Sequence, residues 1–169
     1  MKKNKKIIFL TGTRADFGKL KPLMDKIDKS RFFESYVFVT GMHMLTKYGS
    51  TYREVQKQEY KNTFLFRNQK YETKQEIILS NTITGFSKFV KKNNPDLIVV
   101  HGDRIEALAG AIVGALNHIL VAHIEGGEIS GTIDESIRHS VTKLSHIHFV
   151  ANNDARKRLT QLGERKNSI

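Results

Sequence analysis

Four acidic side chains and three glycines occur together in the segment 123–136, which reads HIEGGEISGTIDES. An apolar run over residues 119–122 precedes this segment, and a helical pattern begins near Asp134. The acids therefore lie on a predicted loop that leads from a strand to a helix. Open α/β sheets bind their ligands at the carboxyl ends of their strands. A simple connection has no need of so many carboxylates, so we interpret the segment as part of a site for acid–base chemistry.

Glu125 directly follows the apolar strand, where burial is expected. A buried carboxylate needs a charged or hydrogen-bonding partner, or else its pKa rises. Both situations suit a general base, and we interpret Glu125 as a catalytic acid or base. The alternative is a structural role, in which Glu125 anchors the glycine-rich loop.

Asp134 and Glu135 are adjacent acids with different predicted roles. Thr132 and Glu135 fit the S/T-x-x-E capping box, which assigns Glu135 to the start of the helix. Asp134 is then free to face a ligand, and we interpret it as a second functional acid. Alternatively, Asp134 pairs with Arg138, four residues further along the predicted helix.

The loop after the first predicted strand, TGTRADFGK, carries two cations, Arg14 and Lys19, beside the start of a helix. A helix N-terminus offers free amide groups and the positive end of the helix dipole. Together with the two cations, these features predict an anion site. The alternative is that both cations are solvated surface residues.

The loop after the fourth predicted strand, HGDRIE, carries Asp103 and Arg104. Asp103 is a candidate catalytic acid, or alternatively the N-cap of the next helix. Arg104 either holds a phosphate or neutralises Asp103. Because parallel strands end at the same edge of a sheet, we expect the loops after the first, fourth and fifth strands to bring six charged side chains to one pocket beside the first and fourth strands: Arg14, Lys19, Asp103, Arg104, Glu125 and Asp134.

Neither a dinucleotide nor a metal ion is predicted at this edge. Arg14 replaces the second glycine of the dinucleotide fingerprint, and no acid ends the second strand. Three histidines could gather near Glu125: His101, His123 and His139. They lack the HxxxH or similar spacing of metal ligands, so we expect core histidines and no cofactor. His43, after the second strand, either reaches a ligand or lies on the surface.

The composition limits the class of protein. The 169 residues suffice for one α/β domain and are too few for two. The formal net charge of +11 is interpreted as solvated surface charge, although a phosphate-bearing substrate also fits it. Basic residues do not alternate with aromatic ones, so no nucleic-acid partner is predicted. The absence of cysteine excludes disulfides and thiolate metal sites. No apolar run reaches membrane-spanning length, and we expect a cytoplasmic protein without a membrane partner.

Apolar runs and helical patterns alternate along the chain, which predicts a doubly wound parallel sheet of the Rossmann-like α/β class. The predicted strands are 7–10, 36–39, 63–66, 97–100, 119–122 and 147–150. The predicted helices are 18–29, a broken region 45–58, then 72–92, 105–117, 133–145 and 153–162. The expected strand order is 3-2-1-4-5-6. Pro22 is expected in the first turn of the first helix, where proline is tolerated. Leu23 of that helix and Ile77 of the helix over 72–92 are expected to face the core.

Several of these segments resemble one known family. GTRADFGKL (12–20), HGDR (101–104), HIEGGE (123–128) and DESIRH (134–139) are similar to motifs of the hydrolysing UDP-N-acetylglucosamine 2-epimerases. The resemblance extends to about Gly163. It implies that residues 1–163 form the amino-terminal domain of a two-domain fold of the glycosyltransferase-B type, and that residues 164–169 lead to the second domain.

The resemblance also implies a reaction. UDP leaves by anti elimination to give 2-acetamidoglucal, and water then adds to give N-acetylmannosamine, which feeds sialic acid synthesis. Residues matching Asp103, Glu125 and Asp134 perform the acid–base work in this family, without settling which of them removes the C2 proton. Residues matching Arg14 and Arg104 bind near the phosphates. Further candidates for contact with the UDP-sugar are Lys19, His43 and Glu128.

Three alternatives stay open at this stage. The substrate could instead be UDP-N,N'-diacetylbacillosamine, as in legionaminic acid synthesis. The chain could also be a non-catalytic domain that binds a nucleotide sugar. Finally, the helix predicted over residues 72–92 could form a homo-oligomer, as in related epimerases, or only pack on the sheet.

Overall fold

All six predicted strands form in the computed structural model, which describes residues 4–71 and 74–169. Their bounds are β1 (Lys5–Thr11), β2 (Phe33–Val39), β3 (Thr63–Leu65), β4 (Leu97–His101), β5 (Leu120–Ile124) and β6 (Ile147–Phe149). Every pair is parallel, and the order is β3-β2-β1-β4-β5-β6. The predicted topology is therefore confirmed, with the switch point between β1 and β4.

Helices alternate with these strands. Their bounds are α1 (Arg14–Asp28), α2 (Tyr52–Gln56), α3 (Gln75–Asn93), α4 (Ile105–Leu116), α5 (Ile133–Lys143) and α6 (Asn153–Gln161). Two short 3₁₀ turns follow β2. The first, Gly41–Met44, precedes the broken helical region predicted over residues 45–58, and the second, Thr46–Tyr48, lies in the first part of that region. Gly49 follows them with a φ of 84°, a conformation that favours glycine and separates the turns from α2.

The core lies on both faces of the sheet, because successive side chains of a strand point to opposite faces. In β1, Ile8 packs in one apolar cluster with Phe86 of α3. Its neighbour Phe9 packs in the other cluster with Leu20 of α1. Both faces of the sheet are thus covered, and the carboxyl ends of the strands are left as the edge where loops can meet.

The first helix begins earlier than predicted. It starts at Arg14 rather than near Gly18, because Thr13 and Asp16 cap it. The prediction that Pro22 lies in the first turn is therefore wrong, since Pro22 lies inside α1. A proline inside a helix crowds the carbonyl group of the residue four positions earlier. In α1 that residue is Gly18, and a Cβ added to it would meet nothing within 4 Å. Leu23, predicted to face the core, is 42% exposed.

The third helix agrees with the prediction except at two places. Ile77 was predicted to point inward but is exposed, whereas the adjacent Ile78 is buried. The predicted beginning of this helix at Glu72 lies outside the described residues, and the described helix starts at Gln75. Among the described residues, no helix combines the length and apolar character needed to span a bilayer.

Candidate functional site

Asp16 is the structural centre of the loop that follows β1. The N–H of Asp16 donates to the hydroxyl of Thr13, and its Oδ2 accepts from the N–H groups of Thr13 at 2.9 Å and Gly12 at 3.2 Å. This reciprocal capping box satisfies amide groups that have no partner inside the helix. The Asp16 carboxylate is buried and fixed in position, with Oδ1 left over for another donor.

His101, the last residue of β4, contacts that remaining oxygen of Asp16. Its Nδ1 lies 3.2 Å from Oδ1 of Asp16, and its Nε2 lies 3.0 Å from Oε2 of Glu125. The other oxygen of Glu125 accepts from Nζ of Lys19 at 2.7 Å. These contacts form a continuous chain, Asp16–His101–Glu125–Lys19, that connects the loops after β1, β4 and β5. We call these four residues the relay.

Charges in the relay stabilise one another. Burial disfavours the charged imidazole of His101, but the carboxylates of Asp16 and Glu125 outweigh this and raise its pKa. Burial likewise disfavours ionised Glu125, but Lys19 and His101 outweigh it and lower its pKa. Of the two alternatives for Glu125, a partner or a raised pKa, the structure thus has the partner. Glu125 also has a φ of 59°, which is uncommon outside glycine.

We expect His101 to titrate above 6.5, the ordinary value for histidine. Because its folded pKa is raised, its contribution to stability is complete below about pH 6.5 and is lost as the pH rises through the folded pKa. NMR titration of the histidine Cε1 resonances measures this directly. The substitution Glu125→Gln removes one supporting charge and should lower the pKa of His101.

His43 serves as an internal control for that titration, because burial lowers its pKa to about 4. It should remain neutral over the range in which His101 titrates. A pKa of His101 below 6.5 in the wild-type chain would contradict the charge arrangement of the relay.

Asp103 does not cap α4. The N-cap of α4 is Arg104, and the Asp103 carboxylate instead accepts a hydrogen bond from the guanidinium of Arg138 on α5. Neither alternative predicted for this loop is observed: Asp103 does not cap the helix, and Arg104 does not neutralise Asp103. An ion pair between Asp103 and Arg138 joins the β4 loop to α5 instead. The alternative pairing of Arg138 with Asp134 does not form among the described residues, and Arg138 binds Asp103 instead.

Arg14 lies apart from the relay. Its Nε is 3.1 Å from Oε2 of Glu54, and its side chain is 75% exposed. Arg14, Asp103 and Glu125 thus have different partners in the structure, and none of these ion pairs joins two of the three. Exposed pairs such as Arg14–Glu54 contribute little stability and are easily exchanged for another partner.

The glycine-rich loop after β5 is fixed mainly by backbone contacts. Glu135 accepts from the N–H groups of Ser130 and Gly131, both at 2.8 Å. The predicted capping box between Thr132 and Glu135 is therefore wrong. Glu135 binds the loop before the helix, and the hydroxyl of Thr132 accepts from the N–H of Asp134. Glu128 accepts from the side chain of Asn152, so its described contact is with the start of α6.

A cavity of about 250 Å³ lies between the 3₁₀ turns after β2, α3 and the start of α4. Arg104 and Asp134 both line it, and so does Glu106. Nη2 of Arg104 lies 3.9 Å from Sδ of Met42, a weak contact, and Nε of Arg104 is buried with no partner among the described residues. The structure therefore brings one predicted cation and one predicted acid to the same cavity.

Two of the histidines have structural surroundings. His43 is fully buried, and its ring nitrogens lie 2.9 Å from the Thr11 hydroxyl and 2.7 Å from the Thr51 hydroxyl. The alternative of a surface position for His43 is therefore wrong. His123 is also buried and contacts the hydroxyl of Thr142 and the carbonyl of Gly102, as expected for a core histidine. Within residues 4–71 and 74–169, no three His, Asp or Glu side chains are arranged to hold a metal ion.

Sequence reasoning did not assign site roles to Asp16, Arg138 or Glu106. The T-x-x-D spacing from Thr13 to Asp16 resembles a capping box and could have indicated the first of them. No local pattern indicates Arg138, because its partner Asp103 is 35 residues away in the sequence.

Comparison with known proteins places the chain among sugar-nucleotide enzymes. The family described as UDP-N-acetylglucosamine 2-epimerase matches residues 25–169. The UDP-N-acetylglucosamine 2-epimerase of Neisseria meningitidis is 54% identical over 98% of this chain and 44% of its own length. The UDP-N,N'-diacetylbacillosamine 2-epimerase (hydrolyzing) of Legionella pneumophila is 36% identical over 98% of this chain and 45% of its own.

Solved structures agree with the sequence comparison. A crystal structure of a UDP-N-acetylglucosamine 2-epimerase is 26% identical and superposes with a TM-score of 0.87, covering 99% of this chain and 47% of that one. The chain therefore spans a little under half the length of the relatives it matches.

Proposed function

We propose that this chain, which belongs to the UDP-N-acetylglucosamine 2-epimerase family, supplies the amino-terminal half of a hydrolysing UDP-N-acetylglucosamine 2-epimerase. In this proposal residues 1–163 form the domain, and residues 164–169 lead towards the other half. The observation that carries the proposal is the relay, which links Lys19 to Glu125, His101 and Asp16 at the carboxyl edge of the sheet.

The relay supports proton transfer from a sugar carbon. Carbon-bound hydrogen is weakly acidic, so a positioned base is needed to remove it. Glu125 is ionised and ready to accept a proton, but Lys19 and His101 hold its pKa low, which makes it a weak base. Lys19 is 60% exposed, so the negatively charged diphosphate of a substrate competes with Glu125 for its ammonium group.

Substrate binding then activates the base. When the diphosphate binds the ammonium group of Lys19, Glu125 loses one of the charges that lower its pKa and becomes a stronger base. His101 holds Glu125 in place, and Asp16 favours the charged form of the imidazole. The same lysine stabilises the negative charge that develops on the departing UDP. Base activation and leaving-group stabilisation are therefore coupled through one side chain.

The remaining predicted residues have supporting roles in this proposal. Arg104 and Asp134 lie along the 250 Å³ cavity and supply a cation and an acid there. Asp103, held by Arg138, supplies a further carboxylate beside the β4 loop. Arg14 can exchange its exposed partner Glu54 for a substrate phosphate. His43 is fully buried, so it supports Thr11 and Thr51 rather than touching the substrate, and Glu128 stabilises the loop through Asn152.

A second candidate substrate is UDP-N,N'-diacetylbacillosamine. It is favoured by the Legionella pneumophila relative, which is named for that sugar and is 36% identical to this chain. The relative named for UDP-N-acetylglucosamine is more similar, at 54%, and we therefore prefer the latter substrate. The cytoplasmic location and a homo-oligomeric full-length protein remain predictions of the sequence analysis.

The test requires both halves of the site. The chain is continued to full length with the remaining residues of the Neisseria meningitidis relative. This chimeric protein is then incubated with each UDP-sugar in D₂O. We expect UDP and N-acetylmannosamine from UDP-N-acetylglucosamine, with deuterium at C2, because elimination removes the C2 hydrogen and water restores one from solvent. Release of UDP with the C2 hydrogen retained would contradict the elimination mechanism.

A further inference from the structure

Glu106, in the first turn of α4, is a buried acid to which the proposed reaction assigns no role. It is 1% exposed, and its carboxyl group lies against two glycines. A Cβ added to Gly41 would lie 2.7 Å from Oε1 of Glu106, and one added to Gly12 would lie 3.1 Å from its side-chain carbons. The loops after β1 and β2 therefore approach this side chain closely, which leaves no room for a Cβ at Gly41 and little at Gly12.

Asn68 supports one of the two oxygens of Glu106. Its Nδ2 lies 3.3 Å from Oε1 of Glu106 and 2.8 Å from the hydroxyl of Thr82, while its Oδ1 accepts from the N–H of Gly41. The other oxygen, Oε2, is buried and has no partner among the described residues. Buried polar atoms without a partner are rare in folded proteins and indicate a missing ligand or water.

Glu106 also lines the 250 Å³ cavity that Arg104 and Asp134 share. Burial raises its pKa, which favours the protonated form of the carboxyl group. A protonated carboxyl group has an O–H to donate, whereas an ionised one only accepts. The Nε of Arg104 is a second buried donor without a partner. The cavity thus offers two unused donors and one carboxylate, an arrangement suited to a ligand with acceptor oxygens.

We propose that Glu106 is a further substrate-binding residue, whose protonated carboxyl group donates a hydrogen bond to an acceptor oxygen of the sugar nucleotide that Arg104 contacts in this cavity. This proposal rests on the proposed function, because it concerns the same substrate. It adds a neutral acid to the binding site, where an ionised carboxylate would repel an anionic ligand.

The test compares two uncharged replacements of similar size, Glu106→Gln and Glu106→Leu. Glutamine keeps an N–H donor at the position, and leucine does not. NMR titration of the 169-residue chain with UDP-N-acetylglucosamine measures the dissociation constant. We expect Glu106→Gln to bind within about threefold of the wild type and Glu106→Leu to bind about tenfold more weakly, as loss of one hydrogen bond predicts. Glu76→Leu, an exposed acid on α3, is the matched control.

A pH series separates a ligand contact from a structural role. Wild-type affinity should fall as rising pH ionises Glu106, and this fall should be absent in Glu106→Gln. Other charged or titratable groups act on Glu106 or line the same cavity, and both proteins share them: Asp16, Lys47, Tyr48, Arg104 and Asp134. Their titration therefore cancels in the comparison.

The carboxyl resonance of Glu106 provides a readout that does not depend on the variants. In the ¹³C-glutamate-labelled wild type, it should show a protonated group at pH 7 and should shift when UDP-N-acetylglucosamine is added. Equal affinity of Glu106→Leu and wild type, an ionised Glu106, or no binding by the wild-type chain would each overturn the proposal. Failure of the proposed function appears separately, as absence of UDP release by the full-length enzyme.

Discussion

The substitution Glu125→Gln should reduce the turnover of UDP-N-acetylglucosamine by the full-length enzyme about 10²- to 10⁴-fold, the usual contribution of a general acid or base. Glutamine keeps the size of the side chain and can still accept from Lys19, but it has no negative charge with which to remove a proton. The measurement is release of UDP under saturating substrate, so that a change in binding is not mistaken for a change in catalysis.

Two controls make this result specific. Glu59→Gln alters an exposed acid of the same type and should leave turnover unchanged. The pKa of His101 should fall in Glu125→Gln, which shows that the relay has lost its charge while the fold is retained. Turnover of Glu125→Gln within about threefold of the wild type would contradict an acid–base role for Glu125. It would favour the alternative in which Glu125 anchors the glycine-rich loop.

The substitution Gly127→Ala should destabilise the chain by about 3 kcal/mol or more, from backbone strain and overpacking together. Gly127 has a φ of 83°, and an added Cβ would lie 2.4 Å from Cδ1 of Leu159 and 2.6 Å from the carbonyl oxygen of Ala155. A contact with backbone cannot be relieved by rotating a side chain, so α6 or the loop must move. For a chain of this size the melting temperature should fall by about 6–12 °C.

Gly131→Ala is the matched control, because it changes another glycine of the same loop. Gly131 has a φ of 67°, but an added Cβ would meet nothing within 4 Å. Only the backbone strain remains, and we expect a loss of about 1 kcal/mol. Thermal unfolding followed by circular dichroism compares the two variants. Equal losses would show that the packing of Gly127 on α6 is not what fixes the glycine-rich loop.

The architecture could be predicted from the sequence because it depends on patterns that repeat along the chain. Apolar runs alternating with helical periods gave six strands in the observed order, since parallel sheets with crossover helices allow few topologies. The exceptions are local. α1 begins at Arg14 because a capping box fixes its start, and Pro22 is accommodated inside it.

The contacts of the site could be predicted only in part. Lys19 and Glu125 were assigned to one site from the strand ends, and they are paired in the structure. The pairing of Asp103 with Arg138 and of Arg14 with Glu54 could not be predicted, because many cations were available to each acid in a chain of net charge +11. Choice among them depends on side-chain directions that the strand pattern does not determine.

Chemical-shift mapping of UDP-N-acetylglucosamine on the ¹⁵N-labelled chain is the most direct test of the central claim, that the carboxyl edge of β1, β4 and β5 is the substrate site. NMR detects the weak binding expected when only half of a two-domain site is present. We predict that the largest shifts fall on Gly12–Lys19, Gly102–Arg104 and Glu125–Gly127, and that Lys19→Met reduces them. Shifts confined to the opposite ends of the strands, or to surfaces away from the sheet edge, would contradict the account.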